Sequence, residues 1–325
     1  MSMANNFGFQ LVGSSPAFVQ VKAHIERMAK VDATVLIEGA TGTGKEMVAR
    51  ALHYLGARSA RPFVPVNCGA LAEALIESEL FGHERGAFTD AKSSSAGLIG
   101  EAGGGTLFLD EVDSLSLKAQ AALLRFLQDG SYRRVGSGQS READVRVIVA
   151  SNANLEQLCK ERRFRLDLLY RINVLSLRLP CLRDRGDDVV ELAKTFLARL
   201  ARQYQRGQCY LTPAALSYLR AHTWPGNVRE LENVIHRAML MTEGPAIELT
   251  QSTQLTPTAA GAAPGLAFGA AKRQAVGEFE RNYLSQLIEQ TQGNLTRAAQ
   301  LAGKDRSAFG RLVKKYGLSP AQSAP

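Results

Sequence analysis

With 325 residues and an ordinary share of apolar and charged side chains, the chain is long enough for about two to three domains with a buried core. It has no run approaching the roughly 18 apolar residues of a membrane span, and residues 1–10 lack the basic and apolar regions of a signal peptide. The four cysteines are scattered without a Cys-x-x-Cys pair, which argues against a disulfide framework or a zinc site. We therefore expect a cytoplasmic protein.

The net charge of +8 is unevenly distributed along the chain. Residues 271–325 hold nine Lys/Arg and four Asp/Glu, a net +5, which leaves +3 for residues 1–270. A basic C-terminal segment suggests a nucleic-acid partner, although a solvated charged surface produces the same composition.

Short apolar runs alternate with helical patterns through the first 180 residues. The predicted strands are Thr34–Glu38, Pro62–Asn67, Thr106–Asp110 and Asp144–Ala150, and helix-length segments between them include Lys45–Leu55 and Lys118–Gln128. Strands that alternate with helices predict an α/β fold, in which helices cover both faces of a parallel sheet.

The rest of the chain shows only helical patterns. From Asp187 to about Glu243 they predict a smaller helical subdomain, whereas the Ala, Gly, Thr and Pro of residues 250–270 predict a flexible linker. The predicted domains are a short extension at 1–10, an α/β unit at 11–180, a helical unit at 181–249, a linker at 250–273 and an all-α unit at 274–320.

A phosphate-binding loop follows the first predicted strand. The run GATGTGKE comprises Gly39, Ala40, Thr41, Gly42, Thr43, Gly44, Lys45 and Glu46. Glycines let backbone N–H groups surround phosphates, the helix N-terminus adds its dipole, and Lys45 reaches the terminal phosphates. An incidental glycine-rich turn is the alternative, but the context of strand, loop and helix argues against it. Glu46 stands where the general motif has the Ser or Thr that holds Mg²⁺.

Two acids end the third predicted strand. Asp110 lies at the sheet edge, where it is suited to holding the metal, and Glu111 is placed to orient the attacking water. An apolar run that ends in Asp-Glu is common by itself. Together with the phosphate-binding loop it predicts a site that hydrolyses a nucleotide.

At this point the sequence resembles a known family, the AAA+ activators of σ54-dependent transcription, also called bacterial enhancer-binding proteins. The resemblance rests on five motifs: GATGTGKE at 39–46, ESELFGHERGAFTDA at 77–91, GGTLFLDE at 104–111, FRLDLLYR at 164–171 and WPGNVREL at 224–231. Glu46 belongs to the family's own variant of the loop. The resemblance implies an AAA+ ATPase that uses ATP and Mg²⁺, with a helical lid and a C-terminal DNA-binding domain.

The resemblance also implies roles for single residues. Asn67 matches the switch residue that holds Glu111 away from productive geometry in one nucleotide state. Asn152 matches the first sensor of the γ-phosphate. Arg229 matches the second sensor, and we expect Asn227 to cap the helix that carries it.

Arg165 and Arg171 match the arginine fingers that reach into a neighbouring subunit's site. From the residues alone, Arg165 could equally be a solvated charge. The match implies a homo-oligomeric ring, by expectation a hexamer, in which each site is completed by the next subunit.

A glycine-rich loop carries the most distinctive motif. A lone Phe in a loop usually folds back onto the core, but in this family the corresponding loop projects from the ring and engages σ54–RNA polymerase. The σ54-contact residues are then Gly86, Ala87, Phe88, Thr89, Asp90 and Ala91. Asp90 replaces a family glycine, which leaves a second reading open: a DNA-binding regulator of this fold that no longer engages σ54. An AAA+ machine of another class is a further alternative, which this loop disfavours.

The basic C-terminal segment resembles the Fis-type helix-turn-helix domain of these activators. We expect Asn294 to cap a helix that runs through Leu301, Gly303 to make the turn, and a second helix to span Asp305 to Tyr316. The second helix would place five side chains toward double-stranded DNA: Arg306, Ser307, Arg311, Lys314 and Lys315. A helical hairpin that only dimerises is the alternative.

The ATPase pattern begins near Leu11, which leaves no room in this sequence for an N-terminal receiver or sensor domain. We therefore expect control by a separate regulatory protein or by the expression level.

Overall fold

The computed structural model describes residues 11–71, 73–87, 91, 93–249, 294–302 and 305–316, with single positions at 277, 281, 284, 287, 288 and 291. The chain divides into two compact units, residues 1–254 and residues 255–325. The expected extension at 1–10, the linker at 250–273 and the loop residues Phe88, Thr89 and Asp90 lie outside the described residues.

The first unit is built on a five-stranded, all-parallel sheet with the strand order β2-β3-β6-β1-β7. Its strands are β1 (Val35–Glu38), β2 (Phe63–Asn67), β3 (Thr106–Asp110), β6 (Arg146–Ser151) and β7 (Leu175–Arg178), and a separate hairpin is formed by β4 (Ser131–Arg133) and β5 (Ser140–Glu142). The predicted α/β fold is confirmed, with strand bounds within two residues of those expected. The sequence prediction lacked β7, which pairs with β1.

Seven helices of this unit lie around the sheet: α1 (Pro16–Ala29), α2 (Lys45–Tyr54), α3 (Glu73–Phe81), α4 (Gly97–Glu101), α5 (Leu117–Asp129), α6 (Leu155–Lys160) and α7 (Leu166–Ile172). Alternate residues of each strand face opposite sides of the sheet. In β3, Phe108 packs in the core under α1 and α2, and Leu107 and Leu109 pack in the core on the opposite face. Both faces of the sheet are therefore buried.

A helical lid follows, formed by α8 (Asp188–Gln203), α9 (Pro213–Ala221) and α10 (Asn227–Met241). Trp224 and Ile235 are among the buried side chains of its separate core. The expectation of helices alone was wrong in one detail, because β8 (Tyr210–Leu211) and β9 (Ala246–Ile247) pair in parallel beside the helices.

A buried carboxylate ties the beginning of the described chain to the lid. The Asp188 carboxylate accepts hydrogen bonds from the backbone N–H groups of Ser14 (2.7 Å) and Ser15 (2.8 Å), from the Ser15 hydroxyl (2.8 Å) and from Arg185 Nε (3.0 Å). Burial alone disfavours the charged carboxylate, but the hydrogen bonds from Ser15, Arg185 and Ser14 outweigh burial and lower the pKa of Asp188. The Arg185 guanidinium also stacks on the Phe18 ring, 3.7 Å from its centroid.

The second unit contains two described helices, Leu295–Leu301 and the basic helix, Arg306–Lys315. Asn294 Oδ1 accepts from the Arg297 N–H at 3.1 Å, as the sequence predicted, and Asp305 Oδ1 caps the basic helix at the Ala308 N–H, at 2.8 Å. Phe309 and Val313 are buried against the core of this unit. The expected turn at Gly303 lies outside the described residues. In the part of the chain that the structure describes, no helix has the length and apolarity needed to cross a membrane.

Candidate nucleotide site

The phosphate-binding loop joins the end of β1 at Glu38 to the start of α2 at Lys45. Gly42 (φ 78°) and Gly44 (φ 97°) adopt left-handed backbone conformations, which side chains with a Cβ rarely tolerate. A Cβ on Gly42 would also collide with the carbonyl oxygen of Gly226 in the lid. Glycine at position 42 is thus required by backbone conformation and by the close approach of the lid.

Lys45 and Thr43 hold the loop from inside. The Lys45 ammonium donates to the carbonyl oxygens of Gly39 (2.9 Å) and Ala40 (3.4 Å), and the Thr43 hydroxyl donates to Ala40 at 2.8 Å. Burial lowers the pKa of Lys45, while the nearby carboxylates of Asp110, Glu111 and Asp113 oppose that shift. The ammonium attracts phosphate groups, and the three carboxylates nearby favour a metal ion that accompanies them. The site is therefore suited to a polyphosphate bound together with a metal ion.

Glu46 is the second residue of α2, and its carboxylate pairs with Arg50 one turn later at 2.7 Å. Thr41 lies at the other end of the loop, where its hydroxyl accepts a hydrogen bond from Asn152 Nδ2 at 3.2 Å. Asn152 directly follows β6, so the sheet brings the expected first sensor to the phosphate-binding loop.

The two acids at the end of β3 differ in backbone conformation. Asp110 ends the strand and accepts the Glu111 N–H on Oδ1 at 3.0 Å. Glu111 is left-handed (φ 56°), an uncommon conformation for a residue with a side chain, and such strain often occurs at functional sites. The Glu111 carboxylate lies so close to Gly69 that a Cβ there would collide with Oε2.

Asn67 ends β2 opposite Asp110 in the register. Its Oδ1 accepts from the N–H groups of Gly69 (2.8 Å) and Ala70 (3.0 Å), so the side chain shapes the turn against which Glu111 rests. Next to it, burial and then the charges of Asp110, Asp113 and Glu111 raise the pKa of Cys68 to about 12, which keeps this thiol neutral.

Most of the predicted residues converge on one cleft of about 260 Å³. Its lining includes Thr41, Gly42, Gly44, Lys45, Glu46, Asp110, Glu111, Asn152 and Arg229. Gly39 and Ala40 border an adjoining cleft of about 970 Å³, which also contacts Asn152. Arg165 and Arg171 line neither cleft.

Asn227 differs from its predicted role. It is the first residue of α10, and Gly226, which has no side chain to make a capping hydrogen bond, occupies the capping position. The side chain is buried and bonds instead to Thr41 of the phosphate-binding loop and to Leu182. These partners are distant in the sequence, so capping preference alone gave the wrong answer.

Of the two predicted fingers, Arg165 occupies the capping position of α7 and Arg171 lies in its last turn. Arg165 pairs with Asp167 through Nε (3.0 Å) and Nη2 (2.7 Å), and Arg171 donates to the Leu127 carbonyl oxygen at 2.9 and 2.6 Å. Between them Leu166 and Tyr170 are 53% and 72% exposed. This face combines arginines with large apolar side chains.

The glycine-rich loop is closed at its base. Gly86 N–H donates to the Ala91 carbonyl oxygen at 2.9 Å, and Ala87 N–H donates to Glu84 at 3.1 Å. The Glu84 carboxylate pairs with Arg134 at 3.2 Å, which joins the loop to the segment between β4 and β5. These contacts close and anchor the base of the loop.

All five predicted DNA-contacting residues on the basic helix are exposed: Arg306, Ser307, Arg311, Lys314 and Lys315. Arg306, Gly310 and Lys314 recur every four residues, so they follow one stripe of the helix. A Cβ on Gly310 would meet open space. The Lys315 ammonium lies 4.7 Å from the centroid of the Tyr316 ring, at the edge of this basic face.

Comparison with known proteins gives one family. Residues 11–178 match the family model described as the Sigma-54 interaction domain, and residues 183–261 match the AAA+ ATPase lid domain. Regulatory protein AtoC of Escherichia coli (strain K12) is 43% identical over 320 residues, which cover 96% of this chain and 68% of AtoC. Transcriptional regulatory protein ZraR of Salmonella typhi is 45% identical over 301 residues, which cover 93% of this chain and 67% of ZraR.

Among solved structures, NtrX from Brucella abortus in complex with ATP matches with a TM-score of 0.73 and 36% identity, covering 95% of this chain and 69% of NtrX. The chain therefore belongs to the σ54-dependent transcriptional regulators, which join a Sigma-54 interaction domain to an AAA+ ATPase lid.

Proposed function

We propose that this chain is a DNA-bound ATPase that remodels the closed complex of σ54–RNA polymerase into the open complex, and that it works as a homo-oligomeric ring in the cytoplasm. The observation that carries the proposal is the convergence of Lys45, Glu111 and Arg229 on one cleft, in a unit that also carries the closed glycine-rich loop.

The cleft fits ATP with Mg²⁺. The left-handed glycines and the Lys45 ammonium suit a polyphosphate, and Asp110 supplies a carboxylate for the metal. Among the described residues no three His, Cys, Asp or Glu side chains are grouped to hold a metal ion. Mg²⁺ commonly takes one or two protein carboxylates and completes its shell with water and phosphate oxygens. When bound, the ion would neutralise charge on the phosphates.

The protein groups then have separate tasks. Glu111 orients the attacking water, Asn152 senses the γ-phosphate beside Thr41, and Arg229 places positive charge from the lid. Asn67 controls Glu111 through the turn at Gly69, because its side chain holds the N–H groups of that turn.

The position of the fingers supports ring assembly. Arg165 and Arg171 lie beside exposed Leu166 and Tyr170 and line neither cleft of their own chain. A second copy that packs on this face would cover the apolar groups and receive the arginines. We expect six subunits.

The test of the whole proposal is σ54-dependent open-complex formation by the purified protein with ATP. Phe88→Ala should abolish open-complex formation and leave ATP hydrolysis intact, because the bonds that close the loop base are backbone hydrogen bonds between other residues, Gly86 with Ala91 and Ala87 with Glu84. Asp90→Gly should leave activity similar or higher. If the wild type fails while Asp90→Gly succeeds, the chain is a regulator of this fold that no longer engages σ54.

DNA binding is assigned to the basic helix. Arg306, Ser307, Arg311 and Lys314 share its exposed face, which suits insertion into a major groove, and the exposed Lys315 would supply a phosphate contact. Gly310 interrupts that face although nothing in the fold crowds it. A glycine inside a helix costs about 0.5–1 kcal/mol relative to alanine, so its presence here favours close approach by DNA.

The matching experiment uses a duplex selected by the full chain from random sequences. Arg311→Ala should weaken binding to that duplex by about 1–3 kcal/mol, as expected for a base contact. Arg297→Ala removes the same charge from the preceding helix and is the control, for which we expect a smaller loss. Equal losses in both variants would point to general charge attraction and against a base contact.

A further inference from the structure

The turn that begins the lid helix α10 is strained and buried. Trp224 (φ 50°) and Asn227 (φ 53°) both adopt the left-handed conformation although both carry a Cβ. Of the five such non-glycine residues at described positions, only these two are buried. Strain of this kind persists where the surrounding structure holds it in place.

The Asn227 side chain joins three segments. Its Nδ2 donates to the Thr41 carbonyl oxygen at 3.0 Å, and its Oδ1 accepts from the Leu182 N–H at 2.9 Å. Thr41 belongs to the phosphate-binding loop, and Leu182 lies between β7 and the lid. One amide group thus fixes the loop, the entrance to the lid and the start of α10 to one another.

The backbone beside Asn227 repeats the connection. The N–H groups of Val228 (2.9 Å) and Arg229 (3.3 Å) both donate to the Gly42 carbonyl oxygen. The first N–H groups of a helix have no partner inside it, so a carbonyl of the phosphate-binding loop satisfies those of α10. The left-handed Asn227 directs these groups at the loop.

The contacts constrain the side of the loop that faces phosphate. In a trans peptide the C=O and the following N–H point in opposite directions. Because the lid engages the carbonyls of Thr41 and Gly42, the N–H groups of Gly42 and Thr43 are turned away from the lid, and Thr43 N–H points back to Ala40 at 3.3 Å. Arg229 projects from the same helical turn into the nucleotide cleft.

We propose that Asn227 is a positioning residue for ATP binding: it holds the phosphate-binding backbone and the helix that carries Arg229 in one relative geometry. The proposal rests on the ATPase function. Asn227 acts through Thr41 and through α10 and makes no assigned contact with the nucleotide itself.

The chain provides its own reporter, because Trp224 is its single tryptophan. Its indole is 2% exposed, donates to the Leu219 carbonyl oxygen at 2.9 Å and lies 4.5 Å from the His222 ring centroid. Nucleotide that moves the loop carbonyls should therefore change the tryptophan emission of the wild type.

The informative variant is Asn227→Gly, which removes the amide and relieves the left-handed backbone. Its matched control is Gln205→Gly, which relieves the same conformation (φ 51°) at an exposed lid position. We expect Asn227→Gly to raise the KM for ATP about tenfold or more, the scale of one lost hydrogen bond in a buried network, with a smaller change in kcat. The ATP-dependent change in Trp224 emission should disappear.

The proposal is overturned if Asn227→Gly has the same KM for ATP and the same emission response as Gln205→Gly. It is also overturned if calorimetry shows that the wild type binds ATP while its tryptophan emission does not change. If circular dichroism shows that Asn227→Gly is unfolded, Asn227→Asp replaces it. This variant keeps the acceptor for Leu182 and loses the donor to Thr41. A wild-type KM and a wild-type emission response in Asn227→Asp would equally overturn the proposal. If the wild type binds ATP with an emission change but never hydrolyses it, the proposed ATPase function is wrong. The ATP binding and the emission response of the variants then still test the role of Asn227.

Discussion

The junction between the N-terminal segment and the lid, and the face of α7, both carry an arginine–aspartate pair, in opposite environments. At the junction, Arg185 and Asp188 expose 3% and 0% of their side chains and bind the N-terminal segment to the lid. On α7, Arg165 and Asp167 expose 40% and 50%. The first pair completes a structure within the chain, and the second leaves its charges available to another molecule.

A similar contrast separates the nucleotide cleft from the face of α7. Around the nucleotide cleft, glycines, carbonyls and amides meet across segments far apart in sequence, so one chain orders this half of the site. Around Arg165 and Arg171, apolar Leu166 and Tyr170 remain uncovered. We infer that folding builds the binding half of the site, and that assembly supplies the other half.

The largest effect on the nucleotide cleft is expected from Glu111→Gln. The change preserves size and removes the carboxylate that orients water, so we expect kcat to fall about 10²–10⁴-fold while ATP still binds. Single-turnover hydrolysis and ATP binding by calorimetry measure the two effects. Glu101→Gln, at an exposed acid on α4, serves as the control, and hydrolysis by Glu111→Gln at the wild-type rate would remove Glu111 from the mechanism.

Asp188→Asn tests the buried pair. It leaves Arg185 without its charged partner, and breaking a buried pair in this way typically lowers the free energy of unfolding by about 3–5 kcal/mol. Urea unfolding measures the loss. A change no larger than that for an exposed charge would show that the buried pair contributes little to stability.

The same residue gives a pH dependence. The pKa of Asp188 lies below its ordinary value of 3.8 in the folded protein, so its stabilising contribution is present above that value and is lost as the pH falls through the lower folded pKa. The free energy of unfolding of Asp188→Asn should therefore lack this pH-dependent component. Urea melts between about pH 5 and pH 2, the range over which such carboxylates titrate, measure the difference from the wild type.

Mixing two inactive variants tests whether Arg171 acts on the nucleotide cleft of a neighbouring subunit. Arg171→Ala retains an intact cleft and Lys45→Ala retains intact fingers, so mixed rings contain some interfaces that pair one with the other. We expect partial recovery of ATPase activity on mixing, well below the wild-type rate. Co-assembly shown by mass photometry without any recovery would count against fingers acting between subunits.

Asp167→Asn should have the smallest effect. The hydrogen bond and charge of Arg165 lower the pKa of Asp167, but both groups are solvated, and exposed ion pairs contribute little to folding. We expect a urea midpoint within the scatter of repeated wild-type melts. A large loss of stability would mean that α7 depends on this pair and that Arg165 is not available to a neighbour.

Local patterns predicted much of the nucleotide site. Gly39 to Lys45 directly follow β1, Asp110 ends β3 and Glu111 follows it, so neighbouring residues in the sequence determine both the chemistry and the position of these groups. The cap at Asn294 was also predictable, because its partner Arg297 is three residues away.

The missed features depend on distant partners. Asn227 bonds to Thr41 and Leu182, and Asp188 bonds to Ser14 and Ser15, across separations that no local pattern encodes. β7 escaped notice because its four residues follow a helix without a long apolar run, and only pairing with β1 makes it a strand.

The place of β1 in the sheet constrains how the protein emerges from the ribosome. β1 pairs only with β6 and β7 in the described sheet, so Val35 finds its partners in Ile148 and Leu175, more than a hundred residues later. Until those strands leave the exit tunnel, the segment before the phosphate-binding loop has no hydrogen-bonding neighbour, and non-local pairing of this kind is slow. The nascent chain therefore presents β1 unpaired through most of the synthesis of the sheet, and transiently unpaired strands of this kind favour aggregation.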